Sequence, residues 1–210
     1  MSKRGKIQIF VALIALPSAA AAQITGGHSG ISTEYSFSGR QAYDDLNAFG
    51  ACFATKQPKD ALRLLATPAG SADEARAYKE LFSKEQFCLG DLSGLSVPWQ
   101  YVRGAVAEGF FDRKVPLASN YAVPASLPAD KVQSVMDAAV CYAGSHPADA
   151  HKLIETTKPA TPQEAAAFDA LWNDFEACLP SNMPAGFKFD TVLLRYRIAE
   201  ALWRQGQVHN

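Results

Sequence analysis

The chain has 210 residues, is 48% hydrophobic and 20% charged, and carries a formal net charge of −1 with His neutral. That length supports one sizeable core or two small ones, and the composition is that of a folded protein rather than a disordered one. With 20 Lys+Arg against 21 Asp+Glu, no face is obviously basic, which argues against nucleic acid or anionic lipid as a partner.

Residues 1–22 have the pattern of a secretory signal peptide. Lys3, Arg4 and Lys6 make a basic start, residues 7–16 an apolar run, and Ala20 and Ala22 the small-residue pattern ahead of a cut before Gln23. The run is about half of the ~20 residues a membrane span needs, and no later segment is apolar enough to cross. Removal of the leader leaves 210 − 22 = 188 residues and a charge of 17 − 21 = −4. No cysteine follows the cut, so no lipid anchor is suggested. The expected location is periplasmic or secreted, with no membrane span after cleavage.

Residues 23–40 form a Gly/Ser-rich linker. Its residues 34–37 are the best strand candidate in a chain that shows no sustained alternation. His28, in Gly26-Gly27-His28-Ser29-Gly30, invites comparison with a G-x-S-x-G nucleophile elbow. The register fails, and a strand before and a helix after are both missing.

From there the sequence repeats itself. At an offset of 89, Cys52, Ala54, Pro58, Asp60, Ala61, Leu64 and Thr67 fall on Cys141, Ala143, Pro147, Asp149, Ala150, Leu153 and Thr156. At 90, Glu74, Leu81 and Cys88 fall on Glu164, Leu171 and Cys178, and at 92, Arg103 and Glu108 fall on Arg195 and Glu200. The expected fold is all-α, a tandem duplication of a four-helix unit. The first copy spans residues 41–113 and the second 129–205, with a Pro-rich linker at 114–128 and a tail at 206–210.

The first helix of each copy is expected at residues 41–55 and 129–144. The second starts at Pro58 or Pro147, a residue suited to the first helical position, with Asp60 or Asp149 in the first turn. The third opens on a capping box, Ser71-Ala-Asp-Glu74 or Thr161-Pro-Gln-Glu164. Tyr78, Leu81 and Phe82 then match Phe168, Leu171 and Trp172 on one face. Glu85 stands where the second copy has Phe175. The fourth helix carries Val102, Val106 and Phe110 against Leu194, Ile198 and Leu202.

Four cysteines in an exported chain argue for two disulfides, and four allow three connectivities. Cys52–Cys88 and Cys141–Cys178 are expected, because a unit that was duplicated was self-sufficient beforehand. No C-x-x-C spacing suggests a metal or haem.

No motif for phosphate, dinucleotide, calcium or zinc chemistry appears, so no catalytic residue, metal or cofactor is expected. His151 and Glu155 lie one helical turn apart, and His146 precedes a helix start. Arg103 and Glu108, like Arg195 and Glu200, are five residues apart, about 140° around a helix, so each side chain meets a different partner. Asp60 and Asp149 are the natural candidates for pairing the arginines internally. Arg103 and Arg195 are also candidate anchors for an anionic ligand, and Trp99 and Phe187, next to Pro- and Gly-flanked loops, candidate groove-lining aromatics. The functional expectation is a non-enzymatic interaction protein of the bacterial envelope, binding an unidentified protein or small molecule between the copies. The alternatives are a stress-protection protein and an enzyme with an unrecognised site in the second copy. Catalysis would require polar residues that break the repeat symmetry, and His151 with Glu155 is the first place to look.

Overall fold

A computed structural model describes residues 40–84, 86–89, 97–112, 127–180 and 190–206. The proposed leader, the strand candidate at 34–37, His28, Glu85, Phe187 and most of both linkers lie outside the described residues. Every regular element among the described residues is helical. In chain order they are α1 (Arg40–Lys56), α2 (Pro58–Ala66), α3 (Ala72–Lys84), the single turn α4 (Gln86–Leu89), α5 (Trp99–Asp112), a 3₁₀ turn (Ala129–Lys131), α6 (Val135–Ser145), α7 (Pro147–Thr156), α8 (Pro162–Glu176) and α9 (Thr191–Gly206).

Local chemistry sets the boundaries. Pro58, Pro147 and Pro162 occupy first turns. Ser71 Oγ accepts the Glu74 amide at 3.1 Å and Thr161 Oγ1 accepts the Glu164 amide at 3.2 Å, so both capping boxes form. Each glutamate reaches back one residue further than the usual box, to the amide of Gly70 (2.6 Å) or Ala160 (2.7 Å). Gly70 and Ala160 both take positive φ, 76° and 55°, to present that amide. The first helix of the C-terminal half starts six residues later than residue 129. Ser134 caps it, accepting the Asp137 amide at 3.1 Å, and Asp137 Oδ2 accepts the Gln133 amide in return. His146 caps α7 through its backbone carbonyl alone.

Helices α5 and α9 pack against each other at the centre, with α1 laid on α5 and α6 on α9. The shorter α2 and α3, and correspondingly α7 and α8, close the outside of each half. Disulfides Cys52–Cys88 and Cys141–Cys178 tie the first helix of each half to the end of its third segment, with Cα–Cα distances of 5.7 Å in both. The buried core runs continuously through both halves and includes Phe49, Phe53, Phe110, Phe175, Tyr196 and Trp203.

The central packing depends on missing side chains. A Cβ at Gly104 would lie 1.9 Å from the Cβ of Tyr196, so the bulk of Tyr196 occupies the room that Gly104 leaves. At the α1–α5 contact a Cβ at Gly50 would meet the Ala105 carbonyl oxygen at 2.1 Å, and one at Gly109 the Gly50 oxygen at 2.5 Å. Ala139 and Ala201, at the matching offsets, are fully buried in the other half.

Candidate functional site

The two recurrent arginines sit at the seam between the halves, side chains 0% and 2% exposed. Arg103 of α5 donates to Glu200 of α9 through Nε (3.1 Å) and Nη2 (2.5 Å), and to Glu74 of α3 through Nη1 (2.7 Å). The same guanidinium donates to the carbonyls of Leu64 (3.1 Å), Leu65 (3.0 Å) and Thr67 (3.1 Å) at the C-terminal end of α2. Arg195 of α9 mirrors this. It donates to Glu108 of α5 at 2.6 Å and to the carbonyls of Leu153 (3.1 Å), Ile154 (2.9 Å) and Thr157 (3.1 Å) at the end of α7. Each arginine therefore caps the second helix of its own half, where orphan carbonyls collect negative charge, and pairs with a glutamate of the other half.

This arrangement corrects two expectations. The carboxylate partners are Glu74 and Glu200, and Glu108 with Glu164, rather than Asp60 and Asp149. Asp60 instead pairs with Arg63 on its own helix at 3.0 Å. Arg103 and Arg195 are also not exposed anchors, because burial and internal hydrogen bonds occupy them. By its hydrogen bonds Thr157, rather than Thr156, is the counterpart of Thr67, which places the one-residue insertion between Ile154 and Thr157.

The two braces differ in their surroundings. Glu200 is also held by Arg204 (2.6 Å) and Arg197 (3.1 Å), whose counterparts on α5 at the offset of 92 are Asp112 and Ala105. Burial alone would push the Glu200 carboxyl up. Arg103, Arg204 and Arg197 outweigh it and hold the value at about 2. Around Arg195 the balance runs the other way. Glu108 and Glu164 share the one guanidinium, and Glu164 Oε1, 3.8 Å from Arg195 Nη1, is buried without a hydrogen-bond partner. Burial raises the Glu164 carboxyl, only partly offset by the Ala160 amide and Arg195, and Asp190 adds to the rise.

Next to Glu164 lies a cluster of polar and aromatic side chains from α1, α5 and α9. Tyr196 Oη donates to Asn47 Oδ1 at 2.6 Å, and Asn47 Nδ2 donates to Glu108 Oε2 at 3.2 Å. Tyr101 Oη donates to Asp190 Oδ2, while Asp190 Oδ1 accepts the Leu193 amide at 3.0 Å and caps α9. The Tyr43 and Tyr101 rings stack at 6.2 Å, and Tyr101 meets Tyr196 edge-on at 6.0 Å. At the sequence offsets of 89 and 92, Tyr43, Asn47, Tyr101, Tyr196 and Asp190 fall on Val132, Met136, Leu193, Gly104 and Pro98. Beside the matching braces, one side of the seam thus carries Tyr43, Asn47, Tyr101, Tyr196 and Asp190 where the other has apolar residues or glycine at the same five positions. Burial, followed by nearby carboxylates, raises the phenols of Tyr43 and Tyr196. Burial and the Asp190 hydrogen bond raise that of Tyr101. At neutral pH these groups are hydrogen-bond donors, not nucleophiles or bases.

The remaining candidates fall elsewhere. Trp99 is half-buried, with the Arg197 guanidinium 5.8 Å from its ring centroid and its carbonyl accepting the Tyr78 hydroxyl at 2.7 Å. His151 lies 3.8 Å from Glu155 and packs edge-on against Phe111 at 5.6 Å. His146 stacks on Tyr142 and lies 3.8 Å from Asp174. Among the described residues no group of three or more His, Cys, Asp or Glu is placed to hold a metal ion, and no helix is long and apolar enough to cross a membrane. Sequence reading missed the tyrosine cluster because its members are scattered over residues 43–196. The available signal was their failure to match across the repeat.

Comparison with protein-family models, curated proteins and solved structures finds no match.

Proposed function

We propose that the chain is an exported, non-enzymatic binding protein of the bacterial envelope, built from two copies of one disulfide-stapled four-helix unit and holding its partner at the seam between them. The one-sided seam is the observation that supports this reading. Different residues at matching positions give the two sides of the seam different surfaces, which suits an asymmetric partner. Here the braces match on both sides, while Tyr43, Asn47, Tyr101, Tyr196 and Asp190 stand opposite Val132, Met136, Leu193, Gly104 and Pro98. The raised phenols suit recognition better than covalent or acid–base chemistry. Export is supported by the leader pattern and by two disulfides, which persist in oxidising compartments. Native mass spectrometry of the mature protein, purified gently from its own envelope fraction, tests the reading. A defined extra mass, small or protein-sized, is the expected result, and a bare chain lacking only the four disulfide hydrogens counts against it.

A second reading, stress protection, is supported by the two disulfides, which hold each half together against unfolding. It calls for weak binding to many unfolded clients that strengthens after acid or heat treatment.

A further inference from the structure

We propose that Cys52–Cys88 is a site of thiol–disulfide exchange with a dithiol reductant, whereas Cys141–Cys178 is a fixed structural bond. The assignment goes beyond the binding reading above and does not depend on it.

The two bonds occupy matching places in the two halves but differ in access. Cys88, Cys141 and Cys178 are buried, while Cys52, in the last two turns of α1, is only half-buried. Exchange begins when a thiolate reaches a disulfide sulfur, so access decides which bond reacts first. The charge beside the two bonds differs as well. Lys56 is exposed and stands one helical turn on from Cys52, on the same side of α1, where its ammonium draws an anionic thiolate toward the bond. At the offset of 89 its place is taken by Ser145, which is uncharged and donates its hydroxyl to the Cys141 carbonyl at 2.6 Å.

The segments that carry the second cysteine of each bond differ in how firmly they are held. Cys88 belongs to α4, a single turn packed on α1, and its neighbour Phe87 is 80% exposed. Cys178 follows closely on α8, a helix of 15 residues that packs on both α6 and α7 and buries Phe168, Leu171 and Phe175. The wholly buried Phe175 meets Tyr142 edge-on at 5.7 Å, three residues before Cys178. At the offset of 90, Glu85 takes the place of Phe175 in the chain. A long helix with a buried face keeps Cys178 beside Cys141 after a break, so that bond recloses. A lone turn has no such hold once its covalent tie is cut. The release is local, because Arg103 still bonds Glu74 at the start of α3, where Ala77 and Leu81 are buried.

The chemistry is a two-step exchange. A thiolate of the dithiol attacks Cys52 Sγ, the Cys52–Cys88 bond breaks, and Cys88 leaves as thiolate. The second thiol of the reagent then attacks the reagent sulfur of the mixed disulfide and releases Cys52. The reagent ends as a disulfide, oxidised by two electrons, and its two protons pass to Cys52 and Cys88, the reduced pair.

The test treats the disulfide-bonded mature chain with dithiothreitol under native conditions, quenches aliquots with iodoacetamide and locates the label by peptide mapping. The expected result is labelling of Cys52 and Cys88 about tenfold or more faster than of Cys141 and Cys178, at a rate proportional to the dithiothreitol concentration. Urea below the unfolding transition should leave the first rate nearly unchanged and accelerate the second, since a buried bond reacts only when the fold opens. Hydrogen exchange of the singly reduced chain should show protection retained in α5 and α9. The assignment is overturned if all four cysteines are labelled at one rate, if Cys141–Cys178 reacts first, or if urea accelerates both bonds alike. Loss of protection throughout α5 and α9 would equally overturn it, because reduction would then unfold the chain rather than free one segment.

Discussion

Replacing Glu200 by Gln removes the single carboxylate on which three guanidinium groups converge. Arg103, Arg204 and Arg197 approach it at 2.5, 2.6 and 3.1 Å, and its side chain is wholly buried. The substitution leaves Arg197 and Arg204 without the carboxylate they share and Arg103 with Glu74 alone. Breaking a buried pair from one side costs about 3–5 kcal/mol, because the surviving charges stay buried without compensation. For a chain of this size that lowers Tm by about 6–20 °C. Glu108→Gln is the internal comparison. It leaves Arg195 with Glu164, one charge against one, and Glu164 Oε1 at 3.8 Å is free to take up the guanidinium. Its expected cost is smaller, about 1–3 kcal/mol. Urea unfolding followed by far-ultraviolet circular dichroism measures both, provided the slope is unchanged. Equal losses, or a Glu200→Gln loss below about 1 kcal/mol, would show that water screens these pairs as it does surface salt bridges, and the cross-brace argument would fail.

Acid titration should show the same brace. The Glu200 value in the fold lies below its ordinary 4.5, so its contribution is complete above pH 4.5 and is lost as pH falls toward about 2, on the order of 3 kcal/mol in all. Glu200→Gln should therefore flatten the acid limb of stability in that window. Glu164 has the opposite sign, since its raised carboxyl favours the fold at low pH and costs stability as pH rises through its folded value. At pH 7 Glu164→Gln should stay within about 1 kcal/mol of the parent, whereas Glu74→Gln, which loses a 2.7 Å bond to Arg103, should cost about 2 kcal/mol or more; similar losses from both would contradict the described asymmetry. Gly104→Ala drives a methyl group into Tyr196 and should lower stability by about 1–3 kcal/mol in urea unfolding; a neutral result would mean that α5 and α9 are further apart. A non-reduced peptide map should yield Cys52–Cys88 and Cys141–Cys178, and removing either bond, which closes 36 or 37 residues, should cost about 4 kcal/mol. A Cys52–Cys141 peptide would overturn the pairing.

Much of the local structure could be read along the chain. The proline and capping-box signals placed the starts of α2, α3, α7 and α8, because those contacts span three or four residues and need no distant partner. Residues 129–134 are compatible with a helix by propensity, but the 3₁₀ turn and the Ser134 cap delay the start of α6 to Val135. Neither spacing nor the repeat alone chooses among the three connectivities, and the observed pairing is the one expected of a unit self-sufficient before it was duplicated.

The helical period also showed that Arg103 and Glu108 could not meet, but not whom each would meet. Asp60 and Asp149 recur like the arginines, yet first-turn carboxylates face a helix N-terminus, while the arginines lie at the C-terminal ends of α2 and α7. The tyrosine cluster was invisible for a related reason. Tyr43, Tyr101, Glu164 and Tyr196 come from four helices, and only their mismatch against the other half marks them.

The sequence by itself determined the all-helical class, the capped helix starts and the recurrence of an arginine and a glutamate at a spacing that keeps them apart. Tertiary structure decided that α5 and α9 lie back to back at Gly104 and Tyr196, that each arginine pairs with a glutamate of the other half, and that one side of the seam gathers aromatic and acidic groups. The division follows the range of the forces. Capping and periodicity act over a few residues and leave a trace in order and spacing. The packing of two helices and the neutralisation of buried charge depend on which surfaces meet, and residues almost a hundred positions apart become neighbours only when they do.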